Sequence, residues 1–382
     1  MAYWADLVQD LLILIARRVD FVEDFAAFGR VCRSWRLVAV KENFKGSQQI
    51  PWLMLAEEEE EEEEEGEGDD KNNRAVNGRR FVSITEGVVI GKLMLPEARG
   101  KRCLETRGWL VTISESGDMN LLHPLTRVQV SLPPITTLKY YYEDEMYNTY
   151  IQIQKAVLSS SPSGSSKDDY VLMIIYGGSG FLGFCRCGDK AWTTIETRLG
   201  CFMDITYFNG QFYAVNARGM IYVCDVGGRN PTEACPVGSE IQYTVAPNDE
   251  RRPYIVELEG NLLIVIRDGY YPRFLGDYGN EGINEDDIVD ESKIEYGTRE
   301  FLVFKVDVSN WRGTELHNLG DNALFLGDNA SIFVKASKFS GLRPNCIYYT
   351  DDCWPSYIHF KRGGGKEHGY LQLERWKPDC LL

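Results

Sequence analysis

From Phe81 onward the chain repeats one pattern: a short apolar run rich in β-branched and aromatic residues, then a cluster of Gly, Asn, Asp or Pro. Runs of four to seven residues are strand length and too short for helices, so this part is constrained to an all-β fold. The clearest runs are Trp109–Ile113, Tyr170–Tyr176, Ile205–Phe208, Gln211–Val215, Met220–Cys224, Tyr254–Leu258, Leu262–Ile266, Phe301–Val306 and Cys346–Tyr349. Asn209-Gly210 separates two of them and predicts a type I′ hairpin; Glu259-Gly260-Asn261 predicts a second. About 300 residues of this kind exceed one sandwich and suit a β-propeller of roughly six or seven blades at about 40–50 residues each. A loose internal similarity supports repetition: segments 207–226 and 256–269 both place a turn before an apolar strand, and Trp192 and Trp311 fall late in their units.

Residues 3–45 follow a different period. Leu11, Leu12, Ile15 and Val19 recur at helical spacing, with Asp10 placed to cap the first turn. Phe21, Phe25, Phe28 and Val31 define a second amphipathic stretch, and Trp35, Val38 and Ala39 a third. Three short helices make a marginal core that calls for a partner on the remaining apolar face. Ile50–Leu55 reads as a buried strand.

The formal net charge of −16 is mostly local: Glu57–Glu65, Glu67, Asp69 and Asp70 supply 12 negative charges without a Lys or Arg, leaving −4 for the remainder. Such a block is expected to stay solvated, so residues 57–78 read as a disordered insertion. A near-neutral body does not suit a phosphate backbone, and nucleic acid is not an expected partner. No apolar run reaches the roughly 18 residues of a membrane span. Leu11–Ala16 is short and preceded by Asp6 and Asp10, unlike a signal peptide, so the expected location is the cytoplasm or nucleus with reduced cysteines.

Several motifs invite chemistry and fall short of it. Cys185-x-Cys187 and Cys346…Cys353 with His359 lack zinc spacing and a second ligand pair, so no metal is expected. Gly177–Gly183 lacks the Gly-Lys-Ser/Thr of a phosphate loop and the last glycine of a nucleophile elbow, which is Phe181; it reads as a turn. Asn284–Glu291 is acidic without the ligand alternation of an EF-hand and reads as an exposed insertion. Four dispersed histidines offer no evident base, so no catalytic residue and no cofactor are assigned.

The stretch Trp4–Ile15, continued by Phe25–Arg36 and Phe44, resembles the F-box. Leu7, Asp10, Leu11, Leu12, Ile15, Val31, Cys32, Trp35 and Arg36 match that family's opening and its Val-Cys-x-x-Trp-Arg close, while Val8 stands where the family has proline. The remainder, residues 50–382, resembles the plant KIB-type domain at Pro51–Met54, Gly108–Val111, Asn120–Thr126, Asp204–Val215, Leu319–Asp328 and Asn345–Asp352. The resemblance implies a three-helix F-box at 3–45 and a Kelch-like propeller, with docking on a Skp-type adaptor and cullin scaffold. Leu7, Asp10, Leu11, Leu12, Ile15, Val31, Cys32 and Trp35 are then the adaptor-facing candidates, and the propeller would hold a protein substrate for ubiquitination. The alternative it leaves is a non-proteolytic interaction propeller behind a degenerate F-box.

Overall fold

The computed structural model describes residues 4, 7–19, 25, 28–40, 43–44, 52–54, 79–83, 89–93, 95–141, 153–162, 170–237, 251–269, 273–274, 294–295, 297–339, 341–352, 368–373 and 375–380, apart from positions 125, 198, 199 and 229. The acidic block at 57–78 and the segment Asn284–Glu291 lie outside the described residues.

Among the described residues the chain opens with α1 (Gln9–Ala16) and α2 (Arg33–Val38), and residues 28–30 are also helical. Most of the predicted middle helix lies outside the described residues. Strands β1 (Trp52–Met54), β2 (Arg79–Ser83) and β3 (Val89–Leu93) form a three-stranded antiparallel sheet.

Five larger sheets follow, each read from its inner to its outer strand. The first holds β4 (Arg102–Thr106), β5 (Trp109–Ile113), β6 (Met119–Leu122) and β7 (Gln129–Ser131). The second holds β8 (Ile153–Leu158), β9 (Val171–Tyr176), β10 (Phe181–Arg186) and β11 (Thr193–Ile195). The third holds β12 (Phe202–Phe208), β13 (Gln211–Asn216), β14 (Ile221–Cys224) and β15 (Ala234–Pro236). In the fourth, β16 (Arg252–Leu258) and β17 (Asn261–Asp268) pair onward to β20 (Glu300–Asp307) and β21 (Arg312–Leu316), while β18 (Arg273–Phe274) and β19 (Ile294–Glu295) form a small ribbon between them in sequence. The fifth contains β22 (Asn322–Leu326), β23 (Ile332–Lys335), β24 (Cys346–Thr350), β25 (His368–Gln372) and β26 (Arg375–Cys380) in the order β23-β22-β24-β25-β26.

The hydrophobic cores lie between these sheets, which makes the sheets blades. Val111, Ile113 and Leu121 of the first pack with Ile153, Leu172 and Ile174 of the second. Met173 and Phe184 continue to Phe212 and Tyr222 of the third; Val215 and Ile221 to Ile255 and Ile264 of the fourth; Tyr254 and Val265 to Leu324 and Ile347 of the fifth. Strands covered on both faces have no solvent side, so Trp109–Ile113 is buried at every position and reads as a continuous apolar run. The inner strands β4, β8, β12, β16 and β23 neighbour one another in turn around an axis.

The propeller therefore has five blades, which corrects the expectation of six or seven. Inner strands of the first four blades begin at 102, 153, 202 and 252, a period near 50, at the upper end of the expected blade length. The remaining length goes into the β1–β3 sheet and into the connection from β17 to β20, which runs from position 269 to 299.

Three inner hairpins turn on two left-handed residues each: Arg107-Gly108 (φ 52° and 79°), Asn209-Gly210 (47° and 83°) and Glu259-Gly260 (48° and 77°). These are the type I′ turns whose twist suits flanking strands. Two were predicted from sequence; Arg107-Gly108 was not, because Arg is unusual at such a φ. Trp192 and Trp311 each directly precede an outer strand, β11 and β21, so their shared late position is a blade register.

Candidate functional site

The helical module divides its apolar residues between a core and an outer face. Leu12, Ala16, Phe25, Phe28, Val38 and Ala39 are buried together, with Leu7, Ile13, Ile15, Val19, Trp35 and Phe44 packed at the edge. Phe28 and Trp35 approach to 4.5 Å between ring centroids, Phe25 and Phe44 to 4.9 Å. Trp4, Val8, Leu11, Leu14, Val31, Leu37 and Val40 stay exposed, at 42–67% of their surface. Val8, Leu11 and Leu14 sit at i, i+3 and i+6, one stripe along α1. An exposed apolar stripe on so small a module is a candidate interaction face.

The sequence-nominated residues separate accordingly. Leu11 and Val31 are exposed; Asp10 is exposed in the first turn of α1, where its charge favours the helix dipole. Leu12 is core; Leu7, Ile15 and Trp35 are half-buried at the edge of that core, and Cys32 is half-buried. Asp10 does not cap α1: the capping position is Val8, with φ −63° and ψ 147° and no side-chain cap. That φ is the one a proline ring would impose, so valine keeps the geometry of the residue it replaces. Trp35 Nε1 donates to the Trp4 carbonyl at 3.0 Å, tying the chain start to α2. Cys32 Sγ lies 3.1 Å from Ser34 Oγ, and that contact with the Trp35 backbone holds the thiol below its ordinary range.

A second constellation, at the propeller axis, was not nominated from sequence. Lys155 of β8 and Asp204 of β12 are fully buried, Nζ to Oδ1 at 3.1 Å. Asp352, just past β24, accepts from Arg267 of β17 at 3.0 Å, lies 3.2 Å from Arg252 of β16, and accepts from the Tyr254 hydroxyl at 3.1 Å on both oxygens. Arg102 of β4 pairs with Asp328 at 3.1 Å. Burial and the Asp352 charge push the Tyr254 phenol far up, so it stays protonated as a donor. Every cation has a carboxylate, Asp352 serving both Arg252 and Arg267, and further hydrogen bonds support the cluster, as buried charges require. A signal existed: Arg102, Lys155, Asp204 and Arg252 recur every 48–53 residues, each near the start of an inner strand. Their signs differ, however, and the residue type changes from one blade to the next, so no repeat motif forms.

The remaining motifs are structural. Gly177–Gly180 forms the tight turn between β9 and β10, with the Gly180 N–H donating to the Gly177 carbonyl. Cys185 lies on β10 of the second blade and Cys346 on β24 of the fifth, both buried and in different sheets; Cys353 and His359 fall outside the described residues. Burial pushes the Cys346 thiol up to about 11 and the Cys224 thiol up to about 12, the environment of inert core thiols. His123 accepts from the Thr126 N–H at Nδ1 and meets Trp109 edge-on at 5.0 Å, and burial lowers its pKa, which keeps it neutral.

Comparison with known proteins matches this organisation. The KIB1-4 beta-propeller family matches residues 81–371. Among relatives of Arabidopsis thaliana, F-box protein SKIP23 is 26% identical, covering 88% of this chain and 81% of its own length. F-box protein KIB2 is 24% identical, covering 92% and 73%; F-box protein At2g26160 is 23% identical, covering 94% and 98%. With an interblade core running through the matched region and relatives aligned along nearly the whole chain, the protein belongs to the KIB1-4 β-propeller family of plant F-box proteins.

Proposed function

We propose that this chain is the substrate-recognition subunit of an SCF-type cullin–RING ubiquitin ligase, docking a Skp-type adaptor through its helical module and holding a protein substrate on its propeller. The observation that carries this reading is the exposed stripe Val8–Leu11–Leu14, with Val31 and Leu37 also exposed, on a module whose own core is already formed by Leu12, Phe25 and Phe28. Burying one such side chain against a partner contributes about 1.5–3 kcal/mol, so a few of them suffice for docking.

In this role the chain does no bond chemistry. It raises the effective concentration of substrate lysines near a charged ubiquitin-conjugating enzyme. The action belongs in the cytoplasm or nucleus, where adaptor and cullin are available. Val8 at the family's proline position favours the alternative of a propeller that no longer docks. Its proline-like φ of −63° argues instead for retained docking geometry.

The test is affinity capture of the tagged full-length chain from plant cells, beside a Leu11→Asp, Leu14→Asp variant. The intact chain should retain both adaptor and cullin, and the variant should lose both together. Capture of neither by the intact chain would contradict the proposal and leave the non-proteolytic reading.

A further inference from the structure

The fifth blade departs from its four neighbours in a way that reaches the whole ring. In blades one to four the strands run from axis to rim in antiparallel sequence order. In the fifth the chain enters at β22, turns back to β23 at the axis, and then crosses β22 to reach β24, which pairs with β22 in parallel. The connection Gly327–Ser331 and strand β23 are thereby placed among the inner strands of all the other blades.

The contacts are specific to each blade. Arg102 of the first blade pairs with Asp328, and at Glu105 the edge strand β4 directs both backbone groups away from β5: its N–H donates to Asn329 Oδ1 at 2.7 Å and its carbonyl accepts from the Ala330 N–H at 3.2 Å. From the second blade, the Lys155 ammonium donates to the Gly327 carbonyl at 2.6 Å. From the third, Asp204 Oδ2 accepts from Ser331 Oγ at 2.7 Å. From the fourth, β16 lies beside β23, and Glu259 in its hairpin turn pairs with Lys335 at 2.7 Å. A nine-residue segment touching four inner strands lies on the axis they share.

We infer that Gly327–Lys335 is an axial latch: it closes the ring by joining the fifth blade to the first, and it occupies the axis where a channel ligand would sit. An edge strand with open backbone groups needs such a partner, and here the partner is an inner hairpin and not a chain terminus. The buried Lys155–Asp204 pair belongs to the latch, because each partner spends a further hydrogen bond on it. A partner protein then meets this propeller on its end faces or rim, not within its axis.

The test is hydrogen–deuterium exchange on the purified full-length chain, with Asn329→Ala, Ser331→Ala as the mild variant and Lys155→Met as the severe one. In the mild variant, amides of 327–335 and of Arg102–Thr106 should exchange at least tenfold faster together, while those of β13 in the third blade keep their protection. The Lys155→Met chain, if folded, should show the same pair of regions with a larger effect. Faster exchange confined to 327–335, with β4 unchanged, would overturn the inference, as would no change at either region.

Discussion

Gly180 shows how closely single positions are set in this fold. Its φ is +61°, and a β-carbon there would lie 2.5 Å from the Phe202 carbonyl oxygen at the start of β12. The strand needs that proximity, since the Phe202 N–H donates to the Gly180 carbonyl and the Cys201 N–H to that of Ser179. Gly180→Ala combines a strained backbone with a clash against main chain, and we expect a loss of about 2–3 kcal/mol in urea unfolding with an unchanged m-value. The glycine cluster was legible as a turn from composition alone. Which glycine is indispensable was not, because the atom it avoids belongs to the next blade. The same limit applies to Lys155 and Asp204, separated by nearly one blade period: neither stood out in the sequence, and only closure of the ring makes them partners.

At the scale of elements, the strands were readable and their count per blade was not. Apolar runs bounded by Gly and Asn match β5, β9, β13, β14, β16, β17 and β24 because these strands are mostly buried and tolerate little polarity, while β20 alternates between buried and partly exposed positions. Short outer strands such as β21 are exposed at four of five positions and carry no such signature. The F-box helices were located by their 3.6-residue period, yet α1 starts without a capping side chain, contrary to the role expected of Asp10. Val8 explains how the helix starts without its family's proline. Because the backbone at Val8 already adopts a proline-like φ, Val8→Pro should raise the stability of the module by about 0.4–1 kcal/mol through the unfolded state. It should change adaptor affinity less than threefold in a calorimetric titration. A gain of tenfold or more would mean that valine had disabled docking.

For the whole molecule, the sequence placed a helical module before a propeller and overestimated the blades. Blades of about 40–50 residues were expected to fill the whole β region, whereas the chain uses a period near 50 and spends further length on the β1–β3 sheet and the β17–β20 connection. Ring closure was invisible to sequence because it depends on the order of β22, β23 and β24 in one sheet, and strand order leaves no local trace. The proposed function divides the labour at this scale: the propeller would hold a partner while the exposed stripe on α1 would hold the adaptor. Titrating a purified Skp-type adaptor into the full-length chain tests that most directly, with Leu11→Asp and Leu12→Asp in parallel. The account predicts micromolar or tighter binding by the native chain. Leu11→Asp should lose at least a hundredfold with its circular dichroism unchanged, while Leu12→Asp should lose binding together with module structure. A native chain that fails to bind at micromolar concentration, or a Leu11→Asp chain that binds as well as the native one, would contradict it.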